Sequence, residues 1–181
     1  VILVYNAIGK VDGIQFALDE RAARNIMYSN TIEETSKLLL VHFMENYQTA
    51  FAFQDWDYVE KIFSDDAVII TGRVIKRMET IDDGRQMLIN DYKLTRQSKK
   101  AYISRLRATQ KEWINIKFGQ TSVEQSSQRN MYGICLLQDY YSSNYGDHGY
   151  LFLLIDAKDT ENPVIRVRTW QPESEGAIPF T

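Results

Sequence analysis

The apolar and polar positions along the chain change period several times, and each change marks an element. From Leu39 the positions Leu39, Phe43, Tyr47, Ala50, Phe51 and Gln54 recur at three- and four-residue spacing. That spacing predicts one long helix, Thr31 to Gln54, with a face laid against something apolar. Thr31 with Glu34 reads as a capping box at its start, and Asp55 ends it. Asp57 with Glu60 repeats the signal and opens a short helix to Phe63, turning Val59, Ile62 and Phe63 inward. Ser64, Asp65 and Asp66 make a polar corner, and the β-branched run Ala67 to Thr71 suits a strand.

Upstream, Val1 to Tyr5 reads as a strand or extended arm, a turn-rich segment covers Gly9 to Gly13, and Phe16 to Tyr28 is helical with Leu18, Ala22 and Ile26 on one face. Downstream, Val74 to Met78 is a second short strand, and Thr80 to Gln97 reads as an inserted loop or hairpin at a rim. Ser98 to Lys111 returns to helix with Tyr102, Ile103 and Leu106 inward. Its basic residues Lys99, Lys100, Arg105 and Arg107 read as a solvated face. Four β-rich runs follow: Trp113 to Val123, Met131 to Tyr141, Tyr150 to Asp156 and Val164 to Gln171. Turn clusters at Gln125 to Asn130, Ser142 to Gly149 and Lys158 to Pro163 separate them. Connections this short make neighbouring strands antiparallel. The expected class is α+β: a curved, mostly antiparallel sheet wrapped around a helix pair and a third helix, as a cone. Residues 1–30 form an arm and helix that link to an upstream segment or remain from one, and residues 31–181 form the domain.

Composition narrows the function classes. The 181 residues hold 21 Lys and Arg against 24 Asp and Glu, for a net charge of −3, which does not suit a nucleic-acid-binding surface. No run reaches transmembrane length, so no membrane span is expected. The chain begins with Val1 rather than Met, so residues upstream of it are expected, and a targeting segment could be among them. A single Cys135 excludes an internal disulfide, and with only two histidines there is little material for a metal site or a Cys–His nucleophile. Neither a metal nor a cofactor is expected. Eleven Tyr, eight Phe and three Trp are enough to build an aromatic core and still line a pocket.

The order helix, D-x-D break at Asp55 and Asp57, short helix and F-S-D-D-A corner at Phe63 to Ala67 resembles the opening of the nuclear transport factor 2-like superfamily. That superfamily has a cystatin-like cone, and the resemblance covers the element order from Thr31 to Gln171. The runs G-D-H-G-Y-L-F-L-L (Gly146 to Leu154) and R-V-R-T-W-Q-P (Arg166 to Pro172) resemble uncharacterised Bacteroidetes domains of this fold. Kinship with those implies an exported or cell-envelope protein. The superfamily spans isomerases, cyclases, dehydratases and domains without enzymatic activity, so fold does not decide function.

Against the ketosteroid isomerases of that superfamily, Tyr47 falls where their hydrogen-bond-donating tyrosine stands. Thr71 falls at the position of the general base and Leu151 near that of the protonated acid. A threonine cannot remove a proton at neutral pH. Elsewhere, His42 and Glu45 flank the inward helix face and read as solvated, and His148 beside Asp147 reads as part of a turn. Asp55, Asp57, Asp65 and Asp66 read as caps and corner residues rather than calcium ligands, and Gly133 as the bend or bulge that curves the sheet. The preferred reading is a non-catalytic ligand-binding or protein-interaction module with an aromatic cone cavity. An isomerase, cyclase or dehydratase using that cavity is the alternative. Candidate ligand-binding residues are Tyr47, Trp113, Arg168 and Trp170. Period two puts Arg166, Arg168 and Trp170 on one face of the last strand, and Ile165, Val167 and Thr169 on the other. Core formation by Ile165 and Val167 leaves both arginines in solvent or at a dimer contact. If the Trp170 face lines the cone instead, Arg168 enters with it and requires an anionic partner. Expected partners are a small anionic or aromatic ligand, and a second copy paired through the sheet face.

Overall fold

A computed structural model describes residues 1–80, 82 and 84–173; the expected domain's last residues, 174–181, lie outside the described residues, as do 81 and 83. Among the described residues four helices and eight strands follow in the order β1 (Ile2–Tyr5), β2 (Val11–Gln15), α1 (Glu20–Met27), α2 (Glu34–Phe53), α3 (Trp56–Lys61), β3 (Phe63–Thr80), β4 (Gln86–Gln97), α4 (Lys99–Ala108), β5 (Ile114–Gln125), β6 (Met131–Ser142), β7 (Tyr145–Asp156) and β8 (Val164–Pro172). Six strands make one sheet in the order β4-β3-β8-β7-β6-β5. Every pair in it is antiparallel except β3 with β8. The sheet curls strongly around the helices, the cone expected from the element order.

The long helix α2 sits inside the curl. Leu40, Phe43, Met44, Tyr47, Ala50 and Phe51 are all buried, and Glu45 and Gln48 are buried with them, because the helix has neighbours on several sides. Glu45 is therefore not solvated as its position beside His42 suggested; its carboxylate accepts from the Leu18 amide at 3.3 Å. Helix α1 packs on α2 and on the edge strand β5, with Leu18 and Ile26 in the common core. Its Asn25 donates to the Thr121 carbonyl, and Thr31 donates to that of Val123, so two carbonyls of β5 are bonded.

The caps differ from the sequence reading. Thr31 is spent on Val123 and makes no capping box; Glu33 is the N-cap of α2 and gives no side-chain bond. Gln54 is not on the inward face: it ends α2 in the left-handed region, φ 56°, and its amide exchanges two hydrogen bonds with the Lys111 backbone. Asp55, not Asp57, caps α3 by accepting from the Tyr58 amide, which frees Asp57 to join Glu60 around Arg107.

Two strands are longer than the pattern suggested. Ala67–Thr71 and Val74–Met78 are parts of one strand, β3, and the segment read as an inserted loop or hairpin is mostly strand β4, paired with β3 from Ile69↔Gln97 to Thr80↔Gln86. The turn between β6 and β7 shrinks to Ser143 and Asn144, because the ladder runs from Met131↔Asp156 to Ser142↔Tyr145. Residues 145–149, read as turn, are strand. The irregularity between β5 and β6 lies between Phe118 and Thr121, not at Gly133, which is regularly paired with Glu124. What Gly133 does is make room: a Cβ there would stand 3.2 Å from the Phe152 ring.

Candidate functional site

The curl leaves a cavity of about 410 Å³ between α2, α4 and the inner face of β3, β5, β6, β7 and β8. Its back wall depends on one irregularity. Strand β7 pairs Leu154 with Val167 but Ile155 with Ile165, so Arg166 has no opposite residue and is the extra residue of a β-bulge. A bulge shifts the side-chain parity by one. Ile165 on one side of it and Arg168 and Trp170 on the other therefore all turn inward, and all are buried. Arg166 turns outward, bonded to Asp66 at 2.8 Å and to Asp156 at 3.1 and 3.2 Å. The strict alternation read from the sequence fails at this residue. It correctly grouped Arg168 with Trp170, but it set Ile165 against them and placed Arg166 beside them. Neither arginine is merely solvated.

Trp170 lies flat over two glycines on the flanking strands. A Cβ on Gly72 would fall 1.7 Å from its Cε3, and one on Gly149 would fall 2.8 Å from its Cζ2 and 2.3 Å from the Gln171 carbonyl oxygen. Only glycine admits the indole there. Arg168 is 7% exposed and reaches across to α2, donating from Nε to the Tyr47 hydroxyl at 3.2 Å. Its guanidinium lies 5.5 Å from the Tyr102 ring centroid on α4. Burial opposes its charge, but Tyr102, Tyr47 and Asp147 more than offset that, and its pKa is raised. Nη1 of this cation is buried and bonded to nothing.

Tyr47, Arg168 and Trp170 are thus brought together, as the sequence suggested. Trp113 is not: it precedes β5, is half-exposed and lies outside the cavity lining. Phe51, Trp56, Tyr102 and Tyr140 are among the aromatic residues that do line it. Thr71 stands in the wall, and its hydroxyl accepts from Gln97 at 2.7 Å and Arg105 at 3.3 Å. Arg105, read as a solvated residue of the α4 face, therefore reaches the cavity rim. Leu151 is fully buried and pairs with Trp170.

Among the lining residues that escaped the sequence reading are Gln138 and Asp147. Once β7 begins at Tyr145, period two carries the buried set Ile155, Leu153, Leu151 back through Gly149 to Asp147, so parity was the signal and the misplaced turn hid it. Burial pushes the Asp147 carboxyl up to about 6 against the pull of Tyr145, Arg168 and His148. His148, the next residue, faces out and is bonded by its two ring nitrogens to Asp139 and Glu173. The Asp139 carboxylate first, then Glu173, raises its pKa against a smaller opposing effect of burial. Around the cavity stand the cations Arg73, Arg105, Lys111 and Arg168, with Asp147 the only carboxylate among the described lining residues. No cluster of three or more His, Cys, Asp or Glu suited to a metal occurs among the described residues, and no described helix is long and apolar enough to cross a membrane.

No protein-family model and no curated protein sequence matches the chain. Solved structures do. Nuclear transport factor 2 from Cryptosporidium parvum superimposes with a TM-score of 0.54 at 8% identity, covering 80% of this chain and 100% of that one. An NTF2-like protein of unknown function from Pseudomonas putida KT2440 gives 0.54 at 10% identity, covering 80% and 92%. Bd1075 of Bdellovibrio bacteriovorus gives 0.58 at 17% identity and covers 81% of this chain. The chain spans only 44% of the Bdellovibrio protein. The fold is that of the NTF2-like proteins, as the sequence resemblance implied. The closeness to Bacteroidetes domains is not shown by these matches.

Proposed function

We propose that this domain is a binding module whose cone cavity takes a small anionic ligand, gripped by Arg168 and walled by aromatic rings. One observation carries the reading: the buried guanidinium of Arg168, a residue of the cavity lining, has an unbonded Nη1, and the cations of that lining outnumber its carboxylates. A buried charge with a vacant donor is costly, and a carboxylate or phosphate oxygen supplies its partner. Tyr47 holds the guanidinium in place, and the volume suits a ligand of modest size. Calorimetric titration with benzoate, inorganic phosphate and neutral benzyl alcohol tests it. Benzoate is expected to bind more tightly than benzyl alcohol, and Arg168→Met to weaken benzoate at least about tenfold, or about 1.4 kcal/mol. Equal binding of benzoate and benzyl alcohol, unchanged by Arg168→Met, removes the proposal.

The second reading, an isomerase, cyclase or dehydratase, draws on Asp147, a cavity carboxyl with a pKa near neutrality. It lacks a second carboxyl on the cavity among the described residues. Steroid isomerisation is not expected, with Thr71 and Leu151 at the matched positions. Turnover of a β,γ-unsaturated ketosteroid that Asp147→Asn abolishes would reverse that order of preference. A second copy paired through the outer sheet face completes the proposal. There Leu137, Phe152, Leu154 and Val167 are half-buried on adjacent strands, and light scattering at high micromolar concentration reads the dimer directly.

A further inference from the structure

The unbonded buried polar atoms around the cavity are of two kinds, and an anion answers only one of them. Arg168 Nη1 and Trp170 Nε1 are donors; Gln138 Oε1 and Asp147 Oδ1 are acceptors. All four residues line the same cavity. The ladder orders them. Arg168 pairs with Leu153, Trp170 with Leu151, Gln138 with Gly149 and Tyr140 with Asp147, so along β7 the donors fall at one end and the acceptors at the other. Buried donors and acceptors without partners are each destabilising, so a ligand that satisfies one end and leaves the other dry forgoes half of the gain. A plain carboxylate would also set apolar or acceptor atoms against the Asp147 oxygen.

We infer that the cavity takes a carboxylic acid that also carries hydroxyl groups, of the hydroxy-acid or sugar-acid type. Its carboxylate bonds Arg168 Nη1, and its hydroxyls accept from Trp170 Nε1 and donate to Gln138 Oε1 and Asp147 Oδ1. A hydroxyl both donates and accepts, so a row of them can run from the Trp170 donor to the two acceptors beyond it. The rings of Phe51, Trp56 and Tyr140 meet the carbon skeleton. This rests on the anion-binding reading above and adds the ligand's second half.

Three six-carbon probes separate the halves: gluconate, hexanoate and sorbitol, titrated into the intact chain by calorimetry or by amide shifts. Gluconate is expected to bind at least about tenfold more tightly than hexanoate, and sorbitol more weakly than gluconate. Arg168→Met is expected to weaken both acids. Asp147→Leu and, independently, Gln138→Met should reduce the gluconate-to-hexanoate preference to about twofold or less, while hexanoate holds steady or, in Asp147→Leu, tightens as a like charge is removed. Equal binding of the two acids, or an undiminished preference in both variants, overturns the hydroxy-acid inference and leaves the anion site standing. If neither acid binds, or Arg168→Met changes nothing, both readings fall together.

Discussion

The two faces of the β6-β7-β8 wall break the usual rule of apolar inside and polar outside in opposite directions. The inner face, apolar at Leu151, Leu153 and Ile155, then carries Arg168, Gln138 and Asp147 with buried atoms that bond nothing. The outer face of the same strands carries Leu137, Phe152, Leu154 and Val167, each partly exposed. A sheet loses stability at both kinds of position relative to a plain apolar core and polar surface. On the reading proposed above, a small polar molecule would meet the inner departure and a second copy the outer one. Single substitutions on either side test that division.

The largest effect is expected where the inner face is tightest. Gly72→Ala would drive a methyl into the Trp170 ring, and the indole would have to leave its bed. Losing a buried Trp's packing costs about 3–5 kcal/mol, so a loss of roughly 3 kcal/mol in urea unfolding is expected. In a Trp170→Leu background the same substitution should cost under about 1 kcal/mol, because the atoms it strikes are gone. If Gly72→Ala costs the same in both backgrounds, Trp170 is not seated on β3 and the inner face is not the wall described.

Next comes pH. The Asp147 carboxyl titrates at about 6 in the folded protein against 3.8 ordinarily, so between those values the folded chain holds a proton that the unfolded chain has lost. Stability is therefore expected to fall as pH rises from 4 to 6, by roughly 2 kcal/mol at 1.36 kcal/mol per unit, and to stay reduced above. Asp147→Asn should be flat over that window relative to wild type in paired urea titrations. An ordinary carboxyl, with no difference between the two, would remove one unsatisfied group from the inner face.

Most of the fold could be read from period and punctuation, because α2 and the strands β5 to β8 are long enough for their patterns to stand out. The opening at Tyr47, Asp55 and Asp57 and the corner at Asp65 and Asp66 carried the fold family. The missed details have local physical causes. Thr31 and Asp57 had the right spacing for capping boxes, but Thr31 had a strand carbonyl to bond and Asp57 an arginine. Part of the cavity lining was legible: Tyr47 from its place on the helix, Arg168 and Trp170 from alternation. Asp147 was lost to a hairpin turn that ran five residues too far into β7, and Arg166 to a bulge that no pattern of residue types announces. Trp113 was named for its aromatic ring, though its place before β5 puts it outside the lining.

A smaller effect, of unusual sign, is expected at Arg168 without ligand. Its cation is buried with a donor vacant, and an apolar side chain of similar length ends that cost while losing the Tyr47 bond and the Tyr102 contact. Such exchanges of buried charge for apolar volume are often neutral or stabilising. Arg168→Met is expected to raise the unfolding free energy of the ligand-free protein by about 1 kcal/mol while weakening benzoate binding. A loss of several kcal/mol instead would mark Arg168 as a structural residue whose partners are already complete.

The smallest effect on the folded chain belongs to the outer face. Leu154 pairs with Gly133 and Val167 and is partly exposed, and in Leu154→Lys the aliphatic stem of the lysine can still cover the neighbouring side chains. At concentrations where the chain is monomeric, its urea midpoint should correspond to wild type within about 0.5 kcal/mol. Association should respond differently, since a charge placed in the centre of an apolar patch must be desolvated twice in a symmetric pair. Light scattering of wild type at high micromolar concentration is expected to show a dimer, and Leu154→Lys a monomer, with benzoate binding the same in both. Were the variant to stay dimeric, the pair would form through another surface. Were benzoate binding to fall with it, the two faces of the sheet would be one coupled site rather than two.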